Sequence, residues 1–331
     1  MKLATLKEGG RDGTLVVVSR DLRRAVRPAG IATTLQDALD RWHETAPLLN
    51  ALSERLNAAS GGAPGGTFDV VQAALAAPLP RAYEFVDGSA YLPHVERVRR
   101  ARKAEVPQSF YVDPLMYQAT SSGFHGPGDD VAVRSEDFGI DFEAEVVVVT
   151  DDVPMGVTPA VAAEHIQLVG LINDVSLRNL IPDELAKGFG FPQSKPRSTL
   201  SPVFVTPDEL GDAWRDSKLA GKLLSAINGK PFGQPDAGVD MQFSFAQLIA
   251  HAAKTRPLAA GTIVGSGTIA NQDESVGASC LAERRMLEVI ASGQPATPFL
   301  RFGDRVRIEM LDADGRSIFG AIDQRIVPHP G

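Results

Sequence analysis

The chain has 331 residues, of which 44% are hydrophobic and 22% charged, a composition that is ordinary for a globular protein and excludes a fibrous or disordered one. Its 33 basic and 41 acidic side chains give a net charge of −8, which disfavours a nucleic-acid-binding surface but allows a local basic pocket for a small anion. It contains one cysteine, Cys280, and no apolar run of the length of a signal peptide or a membrane span. We therefore expect a cytoplasmic protein without an internal disulfide.

The first 70 residues predict a small β-rich module with helices. Met1–Val26 alternates short β-prone runs with glycine turns, which is the pattern of hairpins. Thr34–Asn57 repeats apolar residues at helical spacing and predicts one or two amphipathic helices. The glycine-rich stretch Ala59–Thr67 is the clearest joint in the chain. We therefore predict a domain of residues 1–70 and a second domain of residues 71–331.

After this joint, β-strand signals dominate and the predicted helices are few. Thr158-Pro159 is typical of a helix start, and Phe243–Ala252 is a second short helix candidate. Near the C-terminus, Arg301–Met310 alternates like a strand, and a turn leads from it into Ser317–Val327. The pattern predicts an α+β, mostly β, fold.

The most informative segment runs from Ile140 to Val149 and contains Glu143 and Glu145. Its tail is β-branched, which favours a strand, and residues i and i+2 of a strand share a face. Two carboxylates that enter a buried strand side by side repel each other and lose hydration, so a bound cation is the most direct way to neutralise them. The alternative is an edge strand whose glutamates are solvated.

Two further carboxylates and one histidine complete the candidate set. Asp174 follows the apolar run 166–173, and Asp87 lies in an Asp-Gly pair, so that each is either a turn residue or a site residue. His94 follows Asp87 closely in the sequence. Because the candidate ligands are all oxygen acids, they select a hard cation such as Mg²⁺, Mn²⁺ or Ca²⁺ rather than structural zinc.

Three other features are predicted to be structural. Cys280 has no histidine near it in the sequence, which favours a small buried apolar residue over a nucleophile. Gly265-Ser266-Gly267 lacks the rest of a phosphate-binding loop and indicates a close backbone approach beside a pocket. The basic cluster Arg97–Lys103 is typical of a charged helix face, although it could supply one arginine to an anionic substrate.

Several of these segments are motifs in a common order. They are Asp87…His94, Tyr117, Asp141-Phe142-Glu143-Ala144-Glu145, Asn173-Asp174-Val175-Ser176-Leu177-Arg178, Lys195…Thr199, Gly265-Ser266-Gly267-Thr268-Ile269 and the closing Phe302-Gly303-Asp304-Arg305-Val306. In these motifs the chain, from about Leu79 to its C-terminus, resembles the fumarylacetoacetate hydrolase family. The resemblance implies a fumarylacetoacetase-like mixed β-roll core with a small barrel-like N-terminal domain.

The resemblance also implies the metal and catalytic residues. The implied metal ligands are Asp87, Glu143, Glu145, Asp174 and Thr199. Mg²⁺ is the expected metal, with Ca²⁺ or Mn²⁺ as alternatives. The implied catalytic residues are His94 as general base, Glu283 as the acid that orients it, and Lys195.

The implied substrate-binding residues are Tyr117, Arg178, Thr268 and either Arg102 or Lys103. Two positions depart from the pattern of the hydrolases. Ser89 stands where they carry a tyrosine two residues after the metal aspartate, and Ile181 stands where they carry a glutamine. Both departures leave the exact substrate open.

The resemblance implies an enzyme that hydrolyses a C–C bond in a β-diketo acid. The first expectation is cleavage of fumarylacetoacetate to fumarate and acetoacetate, a step of tyrosine catabolism. The alternatives are an acylpyruvate hydrolase, an oxaloacetate decarboxylase, or a 2-oxo-acid isomerase or hydratase acting through a metal-bound enolate, and a protein that only binds a cation. We expect a homodimer that binds a small anionic diketo acid and neither a nucleic acid nor a membrane.

Overall fold

The computed structural model describes residues 1–58, 63–101 and 105–331. Within them the strands are β1 (Lys2–Leu6), β2 (Thr14–Val18), β3 (Arg24–Val26), β4 (Phe68–Asp69), β5 (Phe85–Gly88), β6 (Met116–Gln118), β7 (Val131–Val133), β8 (Ile140–Asp141), β9 (Ala144–Thr150), β10 (Ile166–Asn173), β11 (Ser176–Leu177), β12 (Thr199–Leu200), β13 (Phe204–Val205), β14 (Trp214–Arg215), β15 (Lys218–Leu219), β16 (Leu223–Ile227), β17 (Lys230–Gly233), β18 (Ile263–Gly265), β19 (Arg305–Met310) and β20 (Ile322–Pro328). The α-helices are α1 (Leu35–Leu39), α2 (Trp42–Asn57), α3 (Leu92–Ala101), α4 (Pro159–Glu164), α5 (Ile181–Lys187), α6 (Phe245–Ala252) and α7 (Leu281–Ser292).

One large sheet and one smaller sheet carry most of the strands. The large sheet has the order β4-β3-β2-β1-β13-β10-β9-β18-β5-β6, with β12 also paired to β10. Its neighbouring strands are antiparallel except for β18 and β5, which are parallel. The second sheet has the order β17-β16-β19-β20-β7. The mixed sheets confirm the predicted α+β fold with a β-roll core.

Strand β9 shows why the large sheet has a core on each face. Its sequence AEVVVVT is buried at every position. Val146 and Val148 join the core shared with the second sheet, whereas Val147 and Val149 join the core beneath α1 and α2. A continuous apolar run is typical of a strand that is covered on both faces, because alternate side chains point in opposite directions.

The two helix starts indicated by the sequence are confirmed. The Thr158 hydroxyl accepts a hydrogen bond from the backbone N–H of Val161 at the start of α4. Ser244 and Gln247 form a reciprocal capping box at the start of α6. The closing hairpin is shorter than predicted. Strand β19 begins only at Arg305, because the residues just before it form a turn.

Helix α7 was not predicted. It begins after Cys280, whose thiol accepts a hydrogen bond from the backbone N–H of Glu283 at 3.3 Å. Cysteine is not among the usual N-cap residues, so no helix start is predicted at this position. The helix brings Glu283 to face α3.

The N-terminal strands extend the large sheet. Strand β1 pairs with β13, with Lys2 opposite Val205 and Leu3 opposite Phe204. Among the described residues β1–β4 form an open sheet margin rather than a closed barrel. The domain boundary near residue 70 stays a prediction. In the parts of the chain that the structure describes, no helix is long and apolar enough to cross a membrane.

Candidate active site

Four carboxylates lie together at the ends of neighbouring strands of the large sheet. Asp87 lies in β5, Glu143 directly precedes β9, Glu145 lies in β9, and Asp174 directly follows β10. In the register of β9 and β10, Ile172 is opposite Glu145, so that Asp174 comes level with the first residues of β9. The antiparallel pairing thus brings the end of one strand to the start of the other.

Asp87 reaches this cluster because the residue beside it on the intervening strand is a glycine. Strand β18 lies between β9 and β5, and its Gly265 is in register with Asp87. A Cβ at Gly265 would lie only 2.2 Å from Oδ1 of Asp87. The backbone N–H of Gly267 donates to the same oxygen at 3.1 Å. This close backbone approach is what the Gly265-Ser266-Gly267 motif indicates.

Three of the carboxylates form a compact cluster of oxygen atoms. Asp87, Glu145 and Asp174 each offer a carboxylate oxygen within 4.8 Å of the other two, and their exposed fractions are 4%, 0% and 0%. Burial raises the pKa of Asp87 to about 7, and the neighbouring Asp174 adds to the effect. Burial likewise raises the pKa of Glu145 well above its usual value, with further contributions from both aspartates. The three groups together favour a cation between them.

The unpartnered oxygens at this place fit a divalent metal. Both carboxylate oxygens of Glu145 are buried and have no hydrogen-bond partner among the described residues. The hydroxyl of Thr199 is likewise buried without a partner in the described part of the chain. Buried polar atoms are normally satisfied, so such orphans need an explanation. An oxygen-only donor set matches Mg²⁺, Mn²⁺ or Ca²⁺.

Glu143 has a different environment from the other three carboxylates. It accepts hydrogen bonds from Arg178 Nη2 at 2.6 Å, from Thr268 Oγ1 at 2.9 Å and from Lys195 Nζ. Burial alone raises the pKa of Glu143, but Arg178 and Lys195 outweigh it and hold this pKa well below its usual value. Glu143 is therefore an anion that anchors two cations. Its predicted role as a metal ligand stays a prediction.

Asp174 links the carboxylate cluster to the predicted substrate residues. Lys195 Nζ and Tyr117 Oη both donate to its Oδ2, the tyrosine at 2.6 Å. Ser198 Oγ donates to its other oxygen. Burial, followed by the charge of Asp174, raises the pKa of Tyr117 well above its usual value, so the phenol stays protonated and donates. Lys195 also lies over the Tyr117 ring, 5.3 Å from its centroid.

His94 and Glu283 form a pair on facing helices. Nδ1 of His94, on α3, is 2.9 Å from Oε2 of Glu283, on α7. The other oxygen of Glu283 accepts a hydrogen bond from Arg97 Nη1 at 2.6 Å. Glu283 is fully buried, whereas the side chain of His94 keeps 19% of its surface exposed. The carboxylate therefore orients the imidazole from behind.

His94 and three of the four carboxylates line one cavity of about 160 Å³. Its lining includes His94, Ser89, Tyr117, Phe191, Lys195 and Thr268 with the carboxylates of Asp87, Glu143 and Glu145. Arg178 lies behind Glu143, where its Nε also donates to Asp141 at 2.8 Å. Arg102 and Lys103, predicted to offer one substrate contact, lie outside the described residues. The cavity combines a histidine–carboxylate pair with a cluster suited to a cation.

Three supporting residues were not assigned to the site from the sequence. Asp141 holds Arg178 and accepts hydrogen bonds from the first backbone N–H groups of α7. Arg97 was interpreted as part of a charged helix face, yet it is 6% exposed and bound to Glu283. Phe191 packs edge-on against Tyr117, with ring centroids 5.0 Å apart. Spacing offers one signal: Arg97 lies one helical turn after His94, on the same face.

Comparison with known proteins identifies the family. The model for the fumarylacetoacetate hydrolase C-terminal domain matches residues 84–327, and that for the fumarylacetoacetase N-terminal domain 2 matches residues 1–81. The chain belongs to the fumarylacetoacetate hydrolase family. Enzymes of this family include hydrolases and isomerases and generally bind a divalent metal, for which the Asp87, Glu145 and Asp174 cluster is a possible acidic site.

Individual family relatives are distant in sequence. Oxaloacetate tautomerase YisK of Bacillus subtilis is 23% identical over 245 residues, which are 73% of this chain and 71% of that protein. Proteins of Burkholderia ambifaria and Burkholderia lata are 26% identical over 159 residues, so the chain matches only about half, 53%, of the length of these curated relatives.

Solved structures of the family show the same fold. A fumarylacetoacetate hydrolase from Exiguobacterium antarcticum superposes with a TM-score of 0.68 at 17% identity, over 99% of both chains. A 5-carboxymethyl-2-hydroxymuconate delta-isomerase from Mycobacterium smegmatis gives a TM-score of 0.61 at 17% identity, over 99% of this chain and 100% of that one. These structural similarities establish the fold alone.

Proposed function

We propose that the protein is a metal-dependent hydrolase that cleaves a C–C bond in a β-diketo acid, releasing fumarate and acetoacetate from fumarylacetoacetate. One observation carries the proposal: His94, which is paired with Glu283, lines the same cavity as Asp87 and Glu145 of the oxygen cluster. A base beside a cation site suits a reaction in which water attacks a carbonyl group and a carbon leaving group departs as an enolate.

His94 is the proposed base for this reaction. The Glu283 carboxylate, which also accepts a hydrogen bond from Arg97, faces Nδ1 of His94, so that Nε2 is the ring nitrogen that takes a proton from water. The water oxygen then bonds to the fumaryl carbonyl carbon. The bond from that carbon to the central CH₂ group breaks, and its electron pair leaves on the acetoacetate fragment, which takes up a proton. One water is consumed and two acids are formed.

Positive charge beside the cavity supports the departure of the enolate. Asp87, Glu145 and Asp174 would hold a divalent cation, which when bound would supply positive charge that stabilises an enolate. Burial alone lowers the pKa of Lys195, but the carboxylates of Asp174 and Glu143 raise it above its usual value. Lys195 therefore stays protonated and offers a fixed positive charge at the cavity wall. This charge also suits a small anionic substrate.

An oxaloacetate tautomerase is the second candidate. The Bacillus subtilis relative that carries this name matches 73% of the chain, and Ser89 departs from the hydrolase pattern inside the cavity. In a tautomerase, Nε2 of His94 would move a proton between carbon and oxygen without water attack. The two candidates use the same residues but yield different products.

Product analysis with and without metal tests the proposal. The purified protein is mixed with fumarylacetoacetate and Mg²⁺, and the loss of diketone ultraviolet absorbance is followed before and after excess EDTA. We expect a rapid loss that EDTA stops, with fumarate and acetoacetate as products. Tight Mg²⁺ binding without any loss would reject this substrate, and faster conversion of enol-oxaloacetate to its keto form would establish the tautomerase instead.

The role of His94 is tested against a matched histidine. His165 also pairs through Nδ1 with a carboxylate, that of Asp151 at 2.6 Å, and its side chain is 20% exposed against 19% for His94. We expect His94→Ala to lower kcat about 10²–10⁴-fold and His165→Ala to leave it within twofold. Neither variant should change Mg²⁺ affinity, measured by calorimetry. Full turnover by the His94 variant would remove His94 as the base.

A further inference from the structure

Arg97 is a buried arginine with fixed partners behind the candidate base. Its side chain, on α3, donates from Nη1 to Oε1 of Glu283 at 2.6 Å and from Nη2 to the backbone oxygen of Asn271 at 2.5 Å. A longer contact from Nη2 reaches the backbone oxygen of Gln272 at 3.3 Å. With 6% of its surface exposed, Arg97 has exchanged solvent for these partners and cannot act as a surface charge.

Glu283 depends on this contact for its charge. Its side chain has no exposed surface, and its two oxygens face Arg97 and His94. A buried carboxylate loses its hydration and stays ionised only where a positive group compensates. The thiol of Cys280, which accepts a hydrogen bond from the Glu283 backbone N–H, has a pKa raised well above its usual value by burial and therefore adds no charge. The guanidinium of Arg97 is thus a permanent cation in direct contact with Glu283.

We propose that Arg97 is a positioning residue that keeps Glu283 ionised and thereby fixes the proton of His94 on Nδ1. This inference rests on the proposed role of His94 as base. An ionised Glu283 can only accept hydrogen bonds, so the facing Nδ1 must donate. Nε2 is then the free acceptor at the cavity.

The opposite state follows when the arginine charge is removed. Glu283 would take up a proton in its buried position and donate it in a hydrogen bond to Nδ1. The imidazole proton would then lie on Nε2, where it blocks acceptance of a proton from substrate water. A merely structural Arg97, which only ties α3 to α7, would leave the tautomer unchanged as long as the protein folds.

Arg97→Gln, Arg97→Lys and the control Arg100→Gln separate these roles. Arg100 is on the same helix but exposed. The tautomer of His94 is determined in each Mg²⁺-loaded protein from ¹⁵N chemical shifts of the ring, assigned by comparison with His94→Ala. We expect the Nδ1–H form in the wild type, in Arg97→Lys and in the control, and the Nε2–H form in Arg97→Gln.

Steady-state kinetics supply the second measurement. We expect Arg97→Gln to lower kcat about 10²-fold or more with KM within a few-fold of the wild type, because the base and not substrate binding is affected. Arg97→Lys should recover most of this loss. Retention of the Nδ1–H form in folded Arg97→Gln would overturn the proposal.

A further variant covers the case in which Arg97→Gln does not fold. Glu283→Gln places a neutral amide at the same position, and its NH₂ group can donate to Nδ1. It should show the Nε2–H form, and an Nδ1–H form there would overturn the proposal. A tautomer change on substitution in a protein without activity on fumarylacetoacetate would reject the proposed function alone. Activity with an unchanged tautomer would reject the role of Arg97 alone.

Discussion

Glu143 and Glu145 line one cavity but have opposite electrostatic environments. Glu143 accepts hydrogen bonds from Arg178 and Lys195, which hold its pKa well below the usual value against the effect of burial. Glu145 has two buried oxygens without a hydrogen-bond partner in the described chain, and burial with the nearby Asp87 raises its pKa well above the usual value. The charge of Glu143 is thus neutralised by Arg178 and Lys195, whereas the two oxygens of Glu145 are suited to bind a metal cation.

Replacement of Glu145 by glutamine should separate metal binding from folding. The amide of Glu145→Gln can donate to the oxygens of Asp87 and Asp174, so we expect the metal-free protein to gain about 1–3 kcal/mol in free energy of unfolding. The same change removes a ligand, so the stabilisation by added Mg²⁺ should vanish. Thermal unfolding in EDTA and in excess Mg²⁺ measures both effects.

Glu184 provides the control for this prediction. It is also buried, but its carboxylate accepts hydrogen bonds from the backbone N–H groups of Gln193 and Ser194 at 2.8 and 3.0 Å. Glu184→Gln should therefore destabilise the protein and leave the Mg²⁺ effect intact. A full Mg²⁺ shift in Glu145→Gln would contradict the assignment of Glu145 to the metal cluster.

The sequence predicted the shared face of Glu143 and Glu145 because strand alternation is local. It did not predict which of them meets the protein's cations. Arg178 directly follows β11 and Lys195 lies between α5 and β12, so their contacts with Glu143 depend on how segments distant in sequence pack. The partner of His94 was implied by family resemblance, whereas the contact of Arg97 with Glu283 required the packing of α3 on α7.

Strand β18 determines whether the carboxylate of Asp87 can reach those of Glu145 and Asp174. This three-residue strand separates β9 from β5, and its last residue, Gly265, lies beside both Asp87 and Val147 in the register. The absence of a side chain at Gly265 leaves room for the Asp87 carboxylate. The geometry of the site thus depends on the missing side chain at Gly265 as much as on the acidic residues.

Gly265→Ala should damage the metal site through this contact. The new Cβ would lie 2.2 Å from Oδ1 of Asp87, so the carboxylate must move. We expect a cost of about 1–3 kcal/mol in free energy of unfolding and a loss of Mg²⁺ affinity of at least tenfold. Gly128→Ala is the control, because a Cβ there meets no atom within 4 Å. Unchanged Mg²⁺ affinity in Gly265→Ala, measured by calorimetry, would show that Asp87 is not required for binding.

The start of a helix was predictable from the sequence only where a usual N-cap residue precedes it. Helices α4 and α6 directly follow Thr158 and Ser244, whose hydroxyls cap them. Helix α7 directly follows Cys280, whose thiol performs the same role without belonging to the usual cap residues. An element that carries Glu283 to the site was therefore visible only in the structure.

The large sheet contains strands from both sides of the predicted domain boundary at residue 70. Strand β1 pairs with β13, so residues from the first and the later part of the chain share a ladder. Leu3 and Leu15 also belong to the same core as Phe204 and Val147. Local sequence patterns showed the hairpin and the glycine-rich joint, but the β1–β13 pairing joins segments about 200 residues apart and leaves no local signal.

Deletion of residues 1–70 tests whether the predicted modules are independent. Without β1, residues 71–331 would have one unpaired edge of β13, and Phe204 would become exposed to solvent. An exposed edge with apolar side chains favours aggregation, so we expect residues 71–331 to be insoluble or to lose near-ultraviolet circular dichroism. Co-expression with residues 1–70 as a separate chain should restore soluble protein, because this fragment supplies β1 together with its neighbours β2, β3 and β4. A soluble 71–331 fragment with a cooperative unfolding transition within a few degrees of the full chain would instead establish two independent domains.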